Sequence, residues 1–234
     1  MQQMPAYIHH IFELISFFVA IIYYRYLKDS FMKWFLPFLG FIFICEVIGN
    51  YQNAILKEPA VIINYLVGIV ESVFYGYIFY HLSHRKILKK AIVIFVPISV
   101  ISYLITFYFS GKSLIYFFPN IVISGFFLAA IALFYLYERF ADDDQILLIS
   151  ESGFWISVGV SLFYSGTSIS FSLYSFILKN DLSLFGQKAF VIAPRVLSII
   201  LYLSISISLI LWSKKNKKSL WQSLPVAYLF SSLE

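Results

Sequence analysis

Long apolar stretches, separated by short polar segments, dominate the chain. Seven of these stretches contain about 20 mostly apolar residues, which is the length that an α-helix needs to cross a lipid bilayer. The predicted spans are, in order, about Ile8–Tyr26, Trp34–Tyr51, Val61–His81, Ala91–Ser110, Phe118–Tyr137, Gly153–Leu178 and Ala189–Trp212. The pattern therefore predicts an all-α membrane protein, folded as a bundle of seven transmembrane helices.

The composition agrees with this prediction. Of the 234 residues, 61% are hydrophobic and only 12% are charged. A typical soluble domain has about 45–50% apolar and about 25% charged residues. A soluble fold of this length cannot hide so much apolar surface, whereas lipid solvates the outer face of a membrane bundle. The single cysteine, Cys45, excludes a disulfide framework and a cysteine metal cluster.

Basic residues are distributed unequally between alternate loops. The first, third and fifth loops and the tail, counted with the adjoining helix ends, hold twelve of the 17 Lys and Arg residues, and the other loops hold four. Cytoplasmic loops carry an excess of Lys and Arg, so the N-terminus is predicted outside and the C-terminus in the cytoplasm. Residues 1–213 form the predicted transmembrane domain, and residues 214–234 form a short basic and apolar cytoplasmic tail. The formal net charge of +5 is explained by these flanking residues, and no nucleic-acid partner is predicted.

Four charged residues stand out among the ionisable groups of the predicted spans, because they lie well inside them: Glu13, Glu46, Glu71 and Arg195. A charged side chain at the centre of a membrane helix costs at least ~2.5–3.5 kcal/mol, so such residues are expected to face partners or water. When each helix is followed in its predicted direction, all four residues lie between the bilayer midplane and the outer surface. This shared depth predicts a polar pocket that faces outward.

Three polar residues at similar depth complete the predicted ligand-binding set: Asn50, Asn120 and Tyr65. Two interpretations of the ionisable residues stay open, because a buried Glu–Arg pair either fixes the register of neighbouring helices or contacts a ligand. A Glu–Arg pair that fixes the helix register can also form the wall of a pocket, so the two interpretations are compatible. Pro194, directly before Arg195, predicts a kink in the seventh helix beside the pocket.

Two histidines precede the first of these glutamates. His9 and Glu13 are four residues apart and share one helical face, a spacing found among metal ligands, and Glu46 would complete a divalent site. No other histidine lies at this depth, so no metal is predicted and His9 and His10 are interpreted as interfacial residues. No catalytic residue and no cofactor is predicted, because Gly-x-Ser-x-Gly, His-Glu-x-x-His and phosphate-loop motifs are absent from the sequence.

Small residues recur at every fourth position in two predicted helices. Such stripes let helix backbones approach closely, and they predict tight packing of the third and sixth spans. The stripes are Gly68, Ser72 and Gly76 in the third span, and Ser157, Ser161 and Ser165 in the sixth.

Several short segments together resemble one bacterial group. They are Phe12-Glu13-Leu14, Glu46-Val47-Ile48-Gly49, Glu71-Ser72-Val73-Phe74-Tyr75, Gly153-Phe154-Trp155-Ile156-Ser157-Val158-Gly159 and Phe163-Tyr164-Ser165-Gly166. With them, residues 8–212 resemble small seven-transmembrane-helix proteins related to the membrane input modules of bacterial sensor histidine kinases. The resemblance implies a multi-pass protein of the bacterial inner (plasma) membrane, with a role in signal reception or as a helper of a separate kinase. It carries no catalytic residues.

The leading functional hypothesis is therefore a non-enzymatic sensory or receptor-like module. Its expected partners are the lipid bilayer, an unidentified small-molecule ligand, and a cytoplasmic histidine kinase or other signalling protein, because the chain has no kinase domain of its own. The first alternative is a small-solute transporter or channel, which predicts polar residues along the cytoplasmic halves of the helices as well. The second is a membrane enzyme that acts on lipid with paired carboxylates as acid and base.

Overall fold

Seven long helices form the framework of the computed structural model. It describes residues 8–57, 60–110, 117–141, 148–181, 183–184 and 187–223. The helices are α1 (Ile8–Leu27), α2 (Phe35–Tyr51), α3 (Val61–Leu82), α4 (Lys86–Ser110), α5 (Phe117–Ala141), α6 (Ser152–Ser172), the short α7 (Tyr174–Lys179) and α8 (Ala189–Ser223). Of these eight helices in the described residues, every one except the short α7 is long and apolar enough to cross a membrane. The prediction of a helical fold with seven long apolar helices is confirmed, and these helices are compatible with a seven-span bundle.

Short elements join the helices. Single helical turns cover Phe31–Trp34, Gln52–Leu56 and Leu148–Ser150. A small ribbon pairs β1 (Ser183–Leu184) antiparallel with β2 (Gln187–Lys188) just before α8. The predicted fourth loop at 111–113, the acidic run 142–144 and the tail from residue 224 onward lie outside the described residues.

The helices pack as a ring with one helix added on its outside. Around the ring, α1 contacts α2 and α8, α8 contacts α6, α6 contacts α5, and α3 lies between α2 and α5. Helix α4 packs on the outer side of the ring against α3 and α5. The interior toward the end where α1 finishes is filled by apolar side chains without solvent exposure, among them Leu27, Met32, Phe35, Phe79 and Leu209.

Large apolar side chains also cover the outside of the bundle. Ile22 is 67% exposed, Ile87 73% and Tyr108 81%. Exposed apolar surface on this scale is unfavourable in water but is solvated by acyl chains in a bilayer. The fold is thus that of a multi-pass membrane protein.

Several helix ends differ from the prediction. Helix α4 begins at Lys86, about one turn earlier than predicted, because lysines are good helix formers whose long stems carry the charge to the membrane surface. Helix α6 ends at Ser172, and the short α7 begins at Tyr174, so the span predicted to run to Leu178 is interrupted at Leu173. Helix α8 continues to Ser223, so the first part of the segment predicted as a tail is helical.

The small residues predicted on α3 form its contact with α4. A Cβ atom added to Gly76 would lie 2.4 Å from Val96 Cγ2, and one added to Gly68 would lie 2.8 Å from the Tyr103 ring. Between these two glycines, Ser99 Oγ of α4 donates to Ser72 Oγ over 3.1 Å. The predicted close approach of α3 to a neighbouring helix is confirmed.

A buried carboxylate ties the other end of α4 to α5. Glu138 near the end of α5 is 1% exposed. Its Oε2 accepts from Ser83 Oγ (2.8 Å), and its Oε1 accepts from the backbone N–H groups of His84 (2.8 Å) and Arg85 (3.1 Å), just before α4 begins. A carboxylate at a helix N-terminus satisfies the free N–H groups there and interacts favourably with the helix dipole.

Candidate functional site

The candidate site lies at the N-terminal end of the bundle, where α1 begins and α2 ends. His9 and His10 occupy the first turn of α1. Helix α2 runs antiparallel to α1, and Phe17 packs closely over Gly40, where an added Cβ atom would lie 3.1 Å from the Phe17 ring. This contact sets the register in which Glu46 of α2 comes opposite the two histidines.

The two histidines and Glu46 form a compact group of nitrogen and oxygen atoms. His10 Nδ1 lies 2.8 Å from Glu46 Oε2, and His9 Nε2 lies 3.6 Å from the same oxygen. The two imidazole ring centroids are 3.9 Å apart. Asn50, one turn further along α2, places its amide nitrogen 2.8 Å from His10 Nε2. Both nitrogens of the His10 ring therefore face polar groups of α2.

Glu13 is placed one turn deeper on α1 and is completely buried. Its Oε2 lies 3.5 Å from His10 Nδ1, whereas its Oε1 is buried and makes no hydrogen bond within the described residues. His9 Nδ1 is in the same situation. A buried polar atom without a partner loses its interaction with water and gains nothing in return, at a cost of about 1–3 kcal/mol.

A cavity of about 210 Å³ adjoins this group between α1, α2 and α3. Its walls combine polar side chains with small or branched apolar ones, and exposed Asn50 and Asn53 stand at its rim. The lining residues are His9, His10, Cys45, Glu46, Gly49, Asn50, Asn53, Ala60, Ile63, Asn64 and Val67. Toward the opposite end of the bundle, Phe38 of α2 stacks on Phe74 of α3 with ring centroids 3.7 Å apart, and the two rings fill the space between these helices.

Helix α8 forms the other side of the site. Ser16 Oγ of α1 donates to the Tyr202 carbonyl (2.6 Å) and lies 2.8 Å from Ser206 Oγ. Further along, Asn216 donates to the Tyr26 carbonyl (3.0 Å), so α1 and α8 run parallel in constant register. This register brings Arg195 to the level of the first turn of α1, and its positive charge acts on His9. The parallel helix pair thus explains why Arg195 and the α1 glutamate lie at similar depth in the bundle.

Glu71 lies deeper, in the middle of the ring. It is half-buried on α3, close to the buried Tyr164 of α6, and it remains within electrostatic reach of Glu46. Tyr75 and Tyr164 pack edge to face with centroids 5.5 Å apart, and Tyr202 of α8 is buried among the same groups. The structure thus brings Glu13, Glu46, Glu71 and Arg195 into one polar region.

Asn120 and Tyr65 are placed elsewhere. Asn64 lines the cavity, and because successive helical residues are rotated by about 100°, Tyr65 turns toward α4, where it packs on Tyr103 and Phe107. The Asn120 side chain accepts a hydrogen bond from Ser102 Oγ of α4 (2.7 Å). Asn120 also borders a larger cavity of about 330 Å³ between α4 and α5, whose other walls are mostly apolar.

The arrangement of His9 and His10 differs from the prediction. The spacing of four predicts a pair of His9 with Glu13, whereas in the structure His10 lies next to Glu13 and His9 faces Glu46. The spacing of three between His10 and Glu13 also predicts neighbours on one helical face, and two adjacent histidines inside a membrane span were the available signal.

Comparison with models of known protein families, with curated proteins and with solved structures gives no match to this chain. The resemblance to sensor-kinase input modules therefore stays a prediction from the sequence segments alone.

Proposed function

We propose that this protein is a membrane sensory module that receives a ligand in the cavity at the N-terminal end of the bundle and signals through a separate cytoplasmic partner. The asymmetry of Lys and Arg supports an orientation with this end outside and the basic end in the cytoplasm. The membrane is then the inner (plasma) membrane of a bacterium. In this orientation the cavity opens to the exterior.

The observation that carries the proposal is a polar cavity above an apolar core. His9, His10, Glu46 and Glu13 concentrate hydrogen-bonding capacity at one end, and three of their buried side-chain atoms make no hydrogen bond within the described residues. Functional sites commonly violate the rule that buried polar groups are satisfied, because the missing partner is the ligand. The closed packing toward the opposite end favours a receptor over a channel.

Ser204 and Ser206 in the C-terminal half of α8 are accounted for by contacts within the helix and between helices. Ser206 Oγ donates to the Tyr202 carbonyl within its own helix (2.9 Å), and Ser204 packs against Gly159 of α6, where an added Cβ atom would lie 2.7 Å from Ser204 Cβ. These side chains fill helix contacts, as small residues do in membrane bundles. A transporter would therefore need a second conformation in which a polar path opens through this half of the bundle.

Helix α8 is the element suited to carry a signal. It contacts the site through Arg195, contains Pro194 inside the helix, and is linked along its length to α1 by Ser16 and Asn216. It continues to Ser223, and the exposed Lys214, Lys215 and Lys217 near that end can bind a cytoplasmic protein. A ligand that binds two states of α8 with different affinity would shift the position of this segment.

The test uses Trp212 as a reporter at the far end of α8, where its ring packs against Phe31 with centroids 5.3 Å apart. The other three tryptophans are replaced by Phe, and the purified protein in nanodiscs is screened with small metabolites and cations by thermal shift. We expect a compound that raises the unfolding temperature and changes Trp212 emission, and we expect both effects to be lost in Arg195→Gln. The matched control is Arg139→Gln, an arginine at the opposite end of the bundle.

Two results would contradict the sensory role. A stabilising compound that leaves Trp212 emission unchanged would show binding without communication along α8. Saturable uptake of the compound into liposomes that contain the protein would instead identify a transporter.

A further inference from the structure

The donor atoms of His9, His10 and Glu46 lie close enough together to hold one metal ion. One atom from each residue lies within 4.8 Å of the other two. Ligands about 2.0–2.2 Å from a tetrahedral ion are separated by roughly 3.3–3.6 Å, so the measured 3.6 Å and 2.8 Å require only small side-chain movements. Two imidazole nitrogens with one carboxylate oxygen favour Zn²⁺ and similar first-row ions over Mg²⁺ and Ca²⁺, which prefer oxygen ligands.

The groups around these three residues resemble the outer shell of a metal site. A ligating histidine usually donates its other ring N–H to a neighbouring acceptor, which fixes the ring and raises its basicity. The Asn50 amide lies 2.8 Å from His10 Nε2, and an amide can present its oxygen there as well as its nitrogen. Glu13 is completely buried next to His10 Nδ1 with its Oε1 unsatisfied, so it is placed either to complete the coordination or to accept a proton from a bound water.

The charges of the region also favour a divalent cation. When ionised, Glu13, Glu46 and Glu71 carry three negative charges. Arg195, near the N-terminal end of α8, carries one positive charge. The excess is two negative charges in surroundings of low dielectric, where uncompensated charge is expensive. One divalent ion neutralises this excess, whereas compensation without it requires protons on the histidines or carboxylates.

We propose that His9, His10 and Glu46 bind one divalent transition-metal ion of the Zn²⁺ type, with Glu13 and Asn50 as supporting groups and a coordination position open to the cavity. The proposal rests on the proposed function in using the same cavity, and it names the metal ion as the group that a ligand would contact there. Metal binding is measured directly and does not depend on signalling. If no metal binds, the cavity can still receive an organic ligand and the sensory role stands. If Trp212 of α8 does not respond, the metal site stands.

The experiment measures metal on the full-length protein in nanodiscs after treatment with a chelator. Zn²⁺ is added at neutral pH, and the bound metal is counted by mass spectrometry and titrated calorimetrically, with Co²⁺ absorption as a readout of the coordination geometry. We expect about one ion per chain and at least a ~100-fold loss of affinity in His10→Ala and Glu46→Gln, with a loss of about 10- to 100-fold for the supporting Glu13→Gln.

His84→Ala is the matched control, because His84 is an exposed histidine at the other end of the bundle whose backbone alone bonds Glu138. It should bind Zn²⁺ like the unmodified chain. If the site variants lose helicity, the unmodified protein still decides the matter through its stoichiometry and its Co²⁺ spectrum. Absence of saturable binding, an octahedral Co²⁺ spectrum without nitrogen ligands, or binding lost in His84→Ala but kept in Glu46→Gln would each overturn the metal site.

Discussion

Removal of the Glu138 side chain should destabilise the bundle more than removal of any exposed group of α5. This carboxylate accepts three hydrogen bonds, two of them from backbone N–H groups that precede α4. A hydrogen bond to a charged group contributes about 1.5–3 kcal/mol, but water can replace part of the lost interaction at the exposed Arg85. We therefore expect Glu138→Ala to lower the free energy of unfolding by about 3–5 kcal/mol.

Glu138→Gln separates the charge from the geometry. One amide oxygen still accepts from the His84 and Arg85 backbone groups, and the amide nitrogen can donate to Ser83 Oγ, so only the charge is lost and we expect a destabilisation of about 1–2 kcal/mol. The measurement is unfolding in mixed detergent micelles, followed by circular dichroism. Phe140→Leu, two residues away and 65% exposed, is the control. The reasoning is refuted if Glu138→Ala unfolds within about 1 kcal/mol of that control.

Two further predictions concern helix contacts. Gly76→Ala places a methyl group against Val96 and should cost about 1–3 kcal/mol of unfolding free energy, with recovery in the double variant Gly76→Ala/Val96→Ala. The control is Gly49→Ala, whose added Cβ makes only ordinary contacts, with Ala60 Cβ at 3.5 Å and Ile63 Cγ2 at 3.9 Å; an equal effect in both variants would contradict the prediction. The Arg139 guanidinium donates from Nε (3.0 Å) and Nη2 (2.6 Å) to the Glu151 carboxylate, and Arg139→Lys loses this paired geometry. We expect a double-mutant cycle with Glu151→Gln to give a coupling energy of about 1 kcal/mol, and a coupling energy of zero would refute a structural role for the pair.

The number of long apolar helices could be predicted from the sequence, because a stretch of about 20 mostly apolar residues is typical of a transmembrane helix and rare in soluble proteins. The ends were less accurate where charged or hydroxyl residues occur. Glu138 was assigned to a loop since the predicted span stopped at Tyr137, yet α5 continues to Ala141. A glutamate at a helix end carries no signal that separates a solvated loop residue from a buried acceptor for the next helix.

Depth in the membrane could also be predicted, but the direction of a side chain around its helix could not. Counting along each span placed Glu46, Asn50 and Tyr65 at compatible levels. Only the packing of α3 between α2 and α4 decides that Asn64 faces the cavity while Tyr65 faces α4. The apolar surroundings of these helices give little help, because membrane helices carry apolar residues on the lipid side as well as on the buried side.

Two buried glutamates of this chain show how a structural acid differs from a candidate functional one. Both Glu138 and Glu13 have almost no solvent exposure. Both oxygens of Glu138 accept protein hydrogen bonds, so its desolvation is compensated within the fold and substitution should be felt as lost stability. Glu13 has a buried oxygen without a partner, beside two histidines and a second carboxylate. A fold retains such an uncompensated group at a cost of about 1–3 kcal/mol, and the compensation is then expected from outside the chain, by an ion or ligand bound at this end of the bundle.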